Sequence, residues 1–533
     1  MFYFQAMQGK KNLQARLFYQ VSLHDLVPQD NYYRQLSQVL DLQWLYKSTA
    51  KFYGSEGNES IDPVVFFKML LVGYLNNIGS DRKLIEHCSD SLAIRLFLRY
   101  DIDQPLPWHS TISRTRQLYG EEVFLELFRK VLSLCVAKGM VRGKRQAVDS
   151  AYIKANASMD SLVEKEVVED AQTYANELNE GSDYKVSIAK KKAVDRHHKW
   201  KEEAYKTQHG GVNTTGHTNQ IDPEVDENGN LIRPKFLSNH THYSPTDPDA
   251  KISTKPGKAR QLNYAGQLAV DDAHHVITAA CASSAGHRDS QNLHEIVEQA
   301  VENLSQQDLQ IEQIAADAGY SSGEALQYLE EKGLEGWIPN FGQYKPHREG
   351  FEYNALHDRY ECTRAGSNKA YLPFKGERTD SKGYTKKTYR SSEKDCNGCP
   401  FQKECCGAKT KFKKIDDSLH KPYYDRMHKP IQENLDYARR VSKIRSKTVE
   451  PVLGTLINFT NMRRVNTRGM QGANKHVLMA ALTYNLRKYV KFSRLKAITK
   501  AAELPIEIGK DLQLIYFHFM AYIAPFGGVH FYR

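Results

Sequence analysis

The run A-V-D-S-A-Y-I-K-A-N, residues 147–156, decides the fold of this 533-residue chain. Its apolar side chains, preceded by basic residues and followed by Asn156, predict a buried β-strand. Asp149 lies inside that strand, although aspartate is unfavourable in strands and a buried charge costs several kcal/mol unless something pairs with it. A metal ion is one such partner.

The residues after this strand predict a mixed α/β sheet. The expected elements, in chain order, are a hairpin at 264–271 and 275–282, a helix capped by Ser290 or Asp289 that runs through Glu302, a strand at 311–317, a helix opened by Ser322 and a strand at 336–340. Strands alternating with helices favour an α/β sheet. The polar and charged stretch at 158–259 is then a helical and loop insertion between the first two strands.

Residues 1–141 predict an all-helical N-terminal domain. Pro63 begins a run with apolar residues at helical spacing, and Ser110 is a suitable N-cap for a helix that carries Arg114 and Arg116. A short helix, a turn and a capped basic helix are what a DNA-binding helix-turn-helix needs. An ordinary helical bundle with a polar face fits the pattern equally well.

Five of the eight cysteines lie in a second insertion, residues 342–425. Cys396 and Cys399 form a C-x-x-C pair, and with Cys405 and Cys362 they are a candidate tetrahedral zinc site. The gap to Cys362 is long, and no histidine lies at the spacing of a zinc finger. Reduced free thiols therefore remain an equal alternative.

The stretch Arg445–Lys500 carries a positive excess as large as that of the whole chain. Twelve Lys or Arg and one acid, Glu450, give it a net charge of +11, equal to the net charge of all 533 residues. Such an excess indicates a polyanionic partner, although charge runs are usually solvated faces. The residues expected to contact DNA are Arg114, Arg116, Lys154, Arg445, Lys447, Arg463, Arg464, Arg468 and Lys475.

Three acids are placed where they could meet. Asp149 lies in the first strand, Asp317 ends a later strand, and Glu450 stands beside a helix start, so one edge of a sheet could gather all three. Clustered carboxylates repel one another, and Mg²⁺ suits them because it is a hard ion that prefers oxygen ligands. Two such ions about 3.5–4 Å apart support in-line displacement at a phosphodiester. The chain has 63 acidic residues, so this choice needs further support.

That support comes from a resemblance. The segments A-V-D-S-A-Y-I-K-A-N, A-A-D-A-G-Y-S-S and T-V-E-P-V-L-G-T-L, the last followed by R-R-V-N-T-R-G and A-L-T-Y-N-L-R-K, resemble the three acidic blocks of bacterial insertion-sequence DDE transposases. Residues 62–130 resemble the InsH-type N-terminal domain of that group. The C-x-x-C insertion and the D-P-D-A at 247–250 are similar to one branch of it. The resemblance extends from about residue 20 to 495.

The resemblance implies an RNase H-like catalytic domain in which Asp149, Asp317 and Glu450 bind Mg²⁺, with Mn²⁺ as a substitute. The implied domains are an N-terminal DNA-binding domain at 1–141, a core at 142–157 and 260–341, the insertions at 158–259 and 342–425, a helical segment of the core at 426–495 and a tail at 496–533. The implied activity is cut-and-paste transposition. It comprises hydrolysis at the terminal inverted repeats of the element and transfer of the freed 3′-hydroxyls to target DNA, by a homodimer on DNA.

Two other classes stay open beside the transposase. One is a domesticated DNA-binding relative without cutting activity, and the other is a metal-dependent nuclease without strand transfer. A tyrosine recombinase is excluded, because it needs a His-x-x-Arg pair and His476 is followed three residues later by Met479. No signal peptide is evident, and the apolar tail at 512–526 is too short to cross a bilayer, so we expect a cytoplasmic, nucleoid-associated protein.

Two departures from the family pattern concern the third block. Many relatives place a lysine seven residues after the glutamate, whereas this chain has Ile457 there. The corresponding DNA contact is then expected from Arg463, Arg464 or Arg468. In addition, Pro451 biases the residue before it away from helical geometry, which predicts that Glu450 lies at a helix edge.

Overall fold

A computed structural model describes residues 22–54, 60–165, 238–239, 241–253, 259–340, 347–364, 370–379, 385–407 and 409–503. The chain divides into a large unit, Met1–Asn485, and a smaller one, Leu486–Arg533, of which the described part is helical. Most of the predicted insertion at 158–259 and of the tail at 496–533 lies outside the described residues.

Helices form the N-terminal region and most of residues 421–503, and four more lie among the strands of the described chain. Their bounds are α1 (Leu23–Leu26), α2 (Tyr32–Val39), α3 (Trp44–Thr49), α4 (Pro63–Leu75), α5 (Asp81–Asp90), α6 (Leu92–Leu98), α7 (His109–Leu118), α8 (Glu121–Ala137), α9 (Asp289–Ser305), α10 (Gly323–Glu331), α11 (Glu393–Cys396), α12 (Gln402–Cys406), α13 (Lys421–Glu433), α14 (Leu435–Phe459) and α15 (Gly469–Glu503).

The strands form two larger sheets and one short ribbon. Their bounds are β1 (Arg145–Lys154), β2 (Val163–Glu164), β3 (His242–Tyr243), β4 (Lys251–Ser253), β5 (Gln261–Asp271), β6 (Ile277–Ser284), β7 (Gln313–Ala315), β8 (Glu335–Trp337), β9 (Phe351–Asn354), β10 (Arg359–Cys362), β11 (Tyr371–Thr379), β12 (Thr385–Arg390) and β13 (Lys414–Ser418).

The N-terminal region is all-helical over its described residues, as predicted. Helix α4 is the centre of this region, because its own residues are apolar on all sides and most of its side chains are buried. Asp62 caps it by accepting hydrogen bonds from the backbone of Val64 and Val65. The prediction that Ser110 caps α7 is wrong. The backbone becomes helical at His109, one residue earlier, so Ser110 lies inside the first turn.

The larger sheet is mixed, as predicted. Strand β5 pairs antiparallel with β1, β4 and β6, whereas β7 pairs parallel with β1 and with β8. Helix α9 covers one face, where Leu293, Ile296 and Val297 pack in one apolar cluster with Val148 and Ala279 of the sheet. The sheet also includes β4, which lies within the stretch predicted to be an insertion.

The second sheet has the strand order β13-β12-β11-β10-β9 and is antiparallel throughout. It lies within the predicted cysteine-bearing insertion. Its own apolar core is small and consists of four buried side chains with one partly buried neighbour: Tyr360, Leu372, Tyr389, Ile415 and Phe351. The short helices α11 and α12 lie between β12 and β13 in the sequence.

Helix α14 continues through Pro451, so the prediction that Glu450 lies at a helix edge is wrong. A proline inside a helix removes one hydrogen-bond donor and costs about 3 kcal/mol. Val449, Val452 and Leu456 are all buried on either side of it. Their burial offsets that cost and keeps the helix continuous.

Residues 469–485 of α15 join the N-terminal helices to the larger sheet. The side chain of Asn474 donates a hydrogen bond to Glu121 of α8 (2.6 Å) and accepts one from the backbone of Ala282 in β6 (3.0 Å). His476 is buried and its Nδ1 lies 2.6 Å from the hydroxyl of Tyr74 in α4. This half of α15 therefore contacts both parts of the unit.

Candidate active site

The pairing of β1 with β7 sets the positions of two predicted acids. Ala147 is the partner of Ala315 in this parallel register, so the same offset places Asp149 level with Asp317, two residues beyond the pairing. Parallel strands present their carboxyl ends at the same edge of a sheet. Asp317 ends the segment there and accepts a hydrogen bond from the backbone of Gly319 at 2.9 Å.

Glu450 reaches the same edge from α14, and an arginine links it to β1. Arg445 donates a hydrogen bond to Asp149 (2.9 Å) and another to Glu450 (3.4 Å). The side chain of Arg445 is 11% exposed and that of Asp149 17%, whereas that of Glu450 is 59% exposed. The predicted acids of the first and third blocks are thus held around one guanidinium.

Asp289 is a fourth acid at this site, and sequence reasoning assigned it only a capping role. It accepts a hydrogen bond from the hydroxyl of Ser150, at 2.7 Å, next to Asp149 in β1. A Cβ atom at Gly319 would lie 3.0 Å from Oδ1 of Asp317 and 3.3 Å from Oδ2 of Asp289. The carboxylates of Asp317 and Asp289 therefore flank Gly319. No motif in the sequence marks Asp289, because its position depends on the pairing of β6 and β5.

The fold gathers several carboxylates at this edge, and their burial and mutual repulsion raise the pKa values of groups there. Burial, together with the charge of Asp317, raises the pKa of Asp149 to about 6, although the backbone of Ser150 and the guanidinium of Arg445 act in the opposite direction. Burial, together with the charges of Asp289, Asp149 and Asp317, also raises the pKa of the Tyr320 phenol well above its usual range. Its hydroxyl donates a hydrogen bond to Gln267 at 2.8 Å.

The donor chemistry of this edge fits a hard divalent cation. Carboxylate oxygens are the ligands that Mg²⁺ prefers, and several converge here. In the described part of the chain, however, no three His, Cys, Asp or Glu side chains are close enough to hold an ion. Arg445 occupies the space between Asp149 and Glu450 instead. A metal held by both acids would require that guanidinium to move away.

Several residues predicted to contact DNA are exposed near this edge. Lys154 ends β1, and its backbone pairs with the segment after α14 through hydrogen bonds to Arg463 (3.1 Å) and from Val465 (2.9 Å). The side chains of Lys154, Arg463 and Arg464 are exposed there, and we call these three residues the basic rim. The other exposed predicted residues are Arg114, Lys447 and Arg468.

Three of the predicted DNA contacts do not fit the structure. Arg116 is buried and forms a bidentate ion pair with Asp81. Lys475 is also buried, and its ammonium donates to the backbone carbonyl of Arg116. Arg445 is engaged with the two acids. Sequence alone could not separate these cations from exposed ones, because each is satisfied by a residue far away in the chain.

Ile457 lies on α14 two turns after Glu450, where many relatives carry lysine, and its side chain is half-buried.

The second sheet with α11 and α12, which we call the cysteine-bearing module, holds a second candidate site. All five of its cysteines, Cys362, Cys396, Cys399, Cys405 and Cys406, line one cavity.

Among the described residues no helix is long and apolar enough to cross a membrane.

Comparisons with known proteins give two family matches. The profile of a transposase domain family (DUF772) matches residues 21–118, and that of a transposase DDE domain matches residues 362–490. No curated protein and no solved structure matches the chain. The first match covers most of the N-terminal helices, and the second includes α14 with Glu450. A transposase domain at the start of the chain and a transposase DDE domain in its C-terminal part support its assignment to the DDE transposases of insertion sequences.

Proposed function

We propose that this transposase cuts DNA at the ends of its element and joins the freed 3′-hydroxyls to target DNA. The observation that carries the proposal is the register of β1 and β7, which sets Asp149 level with Asp317 at the edge that Glu450 reaches. We further propose that the larger sheet is RNase H-like. Its order of a strand, a hairpin, a helix and two more parallel strands supports this assignment.

In this proposal Asp149, Asp317 and Glu450 hold divalent metal ions, Mg²⁺ in the first place and Mn²⁺ as a substitute. Bound ions would polarise the scissile phosphate and activate the attacking water or hydroxyl. The protein supplies the geometry: the two strands fix Asp149 and Asp317 against each other, and α14 brings Glu450 to them. Above pH 6 Asp149 is mostly ionised, as a metal ligand must be.

The basic rim supplies the phosphate contacts. Lys154, Arg463 and Arg464 are held at the end of β1, five residues beyond Asp149, by backbone hydrogen bonds. A duplex lying on these cations would pass close to the acidic edge. The expected partners are the terminal inverted repeats of the element and target DNA, with two copies of the chain in the DNA complex, in the bacterial cytoplasm.

A strand-cleavage assay tests the assignment of the acids. A labelled DNA end of the element is incubated with Mg²⁺ and the wild type, Asp149→Asn, Asp317→Asn or Glu450→Gln. We expect cleavage and joining by the wild type and a loss of at least about 10²-fold in each variant, because each removes a charged ligand. Glu312→Gln is the matched control. This acid precedes β7, whereas Asp317 follows it, and it forms only an exposed ion pair with Lys144.

The outcomes separate the functional classes. Full cleavage by any of the three variants would contradict the assignment of that acid. Cleavage without joined products would instead indicate a nuclease. Binding of the DNA end without any cleavage by the wild type would indicate a DNA-binding relative.

A further inference from the structure

The cysteine-bearing module presents an unusual concentration of thiols. Five of the eight cysteines of the chain line one cavity of about 20 Å³, between α11, α12 and the second sheet. That volume suits one water-sized species. The other lining side chains include Arg364 and Lys413, while the remaining cysteines, Cys88, Cys135 and Cys281, are buried elsewhere.

The module needs more stabilisation than its apolar core provides. The core consists of four buried side chains, and α11 and α12 have four and five residues. Isolated helices of this length are unstable in water, because nucleation costs more than one turn of hydrogen bonds returns. Small cores of this kind usually depend on a metal ion or on disulfides.

Thiols and a cation lie close together at this cavity. The backbone of Cys399 donates to the carbonyl of Cys396 at 3.3 Å, which turns the C-x-x-C pair back on itself. The side chains of Cys396 and Cys406 are close enough to interact, and the sulfur of Cys396 also lies 3.1 Å from the hydroxyl of Ser391. The ammonium of Lys413 donates to the carbonyl of Cys405 at 2.7 Å.

Arg364 is a second cation at the cavity. One of its nitrogens lies 3.8 Å from the sulfur of Cys405, and the other pairs with Glu349 at 2.8 Å. This contact engages the thiol of Cys405, whereas Cys406 interacts with Cys396. The adjacent cysteines therefore have different surroundings.

We propose that this cavity binds one Zn²⁺ through the thiolates of Cys362, Cys396, Cys399 and Cys406. Four thiolates are a preferred structural zinc set, and their softness disfavours Mg²⁺ and Ca²⁺. Over the residues the structure describes, no three thiols yet converge at ligand distance. Binding of the ion would therefore require the thiol side chains to change rotamer. The zinc would tie α11 and α12 to β10.

Metal analysis of the full-length protein tests this proposal. The wild type is purified without chelator, and its zinc is measured by elemental mass spectrometry. We expect one zinc per chain, with a loss of at least about fivefold in Cys396→Ser, Cys399→Ser and Cys406→Ser, because each removes one of four ligands. Cys405→Ser and Cys88→Ala are the matched controls and should retain the metal. Replacement of zinc by Co²⁺ should give the absorption bands of a tetrahedral thiolate centre.

Two results would overturn the proposal. One is wild-type protein that carries no zinc, does not take it up and has all eight thiols reactive after unfolding. The other is an intact mass that shows hydrogens lost to disulfides among the five cysteines, which would assign the cluster to redox chemistry. Metal content is measured without DNA or Mg²⁺, so either result leaves the proposed transposition chemistry untouched.

Discussion

At the scale of single residues, Asp149 carries a charge that the fold disfavours. Its pKa rises from 3.8 to about 6 on folding, so the folded protein binds this proton more tightly than the unfolded chain. Stability from this group is therefore greatest below pH 3.8 and is lost as the pH rises to 6. Above pH 6 the ionised carboxylate lowers the free energy of unfolding by about 1–3 kcal/mol.

This sign predicts that Asp149→Asn stabilises the metal-free protein while abolishing cleavage. In urea unfolding with EDTA at pH 8, we expect the free energy of unfolding to rise by about 1–3 kcal/mol, because a charge that is costly to bury is removed. At pH 4 the gain should vanish. Glu312→Gln, at an exposed ion pair, should change the stability by less than about 0.5 kcal/mol at either pH. An equal gain at both pH values would contradict the argument.

Asp289 should act as a positioning residue. Its contact with Ser150 fixes the backbone that carries Asp149, and it flanks Gly319 with Asp317. We expect Asp289→Asn to lower the cleavage rate at saturating DNA by about 10-fold or more with little change in DNA affinity, because misplacement of reacting groups reduces the rate steeply. Asp289→Glu should recover only part of the wild-type cleavage rate. Equal loss of DNA affinity and rate would indicate that the residue serves only folding.

At the scale of elements, the basic rim lies where β1 meets the segment after α14. Replacement of Lys154, Arg463 and Arg464 by glutamine should reduce the slope of log affinity against log salt by about 2–3, because each phosphate contact releases close to one counterion. The slope is measured by fluorescence anisotropy with duplex DNA. The control replaces Lys51, Lys130 and Lys332, which form surface ion pairs elsewhere. An unchanged slope would exclude the rim as a DNA contact.

Elements with a strong local signal were predictable from the sequence. The strand around Asp149, the hairpin after it and the helix capped by Ser322 follow from periodicity and capping residues. The prediction that Ser290 or Asp289 caps the preceding helix is wrong, because Arg288 is its N-cap. The course of α14 through Pro451 was not predictable, because its stability comes from burial against distant strands. The second sheet also escaped prediction, since its strands are polar and much of their surface is exposed.

In the candidate site, too, features with a local sequence signal were predictable and features that depend on distant contacts were not. Its three acids could be proposed from their blocks, but Arg445 was expected to contact DNA and Asp289 to cap a helix. The contacts of both span more than 100 positions, Arg445 with Asp149 and Asp289 with Ser150. Local patterns contain no information about such contacts.

At the scale of the whole molecule, Asn474 connects the N-terminal helices with the sheet. Asn474→Ala would leave the backbone N–H of Ala282 and the carboxylate of Glu121 without this partner, at a cost of about 1–3 kcal/mol. We expect faster hydrogen exchange in α8 and β6 together, measured by mass spectrometry. Gln327→Ala, at an exposed amide that bonds Glu331, is the matched control and should leave both elements unchanged.

The position of α15 in the sequence has a consequence for synthesis. Domains generally fold from the N-terminus as the chain emerges. The N-terminal helices and the sheet strands up to β8 are complete long before residues 469–485 exist, yet these residues make the hydrogen bonds from Asn474 that join them. A ribosome that stops before residue 469 would thus release a chain that keeps the contacts of Arg129 with Asn303 and Glu302 but lacks the hydrogen bonds of Asn474 between α8 and β6.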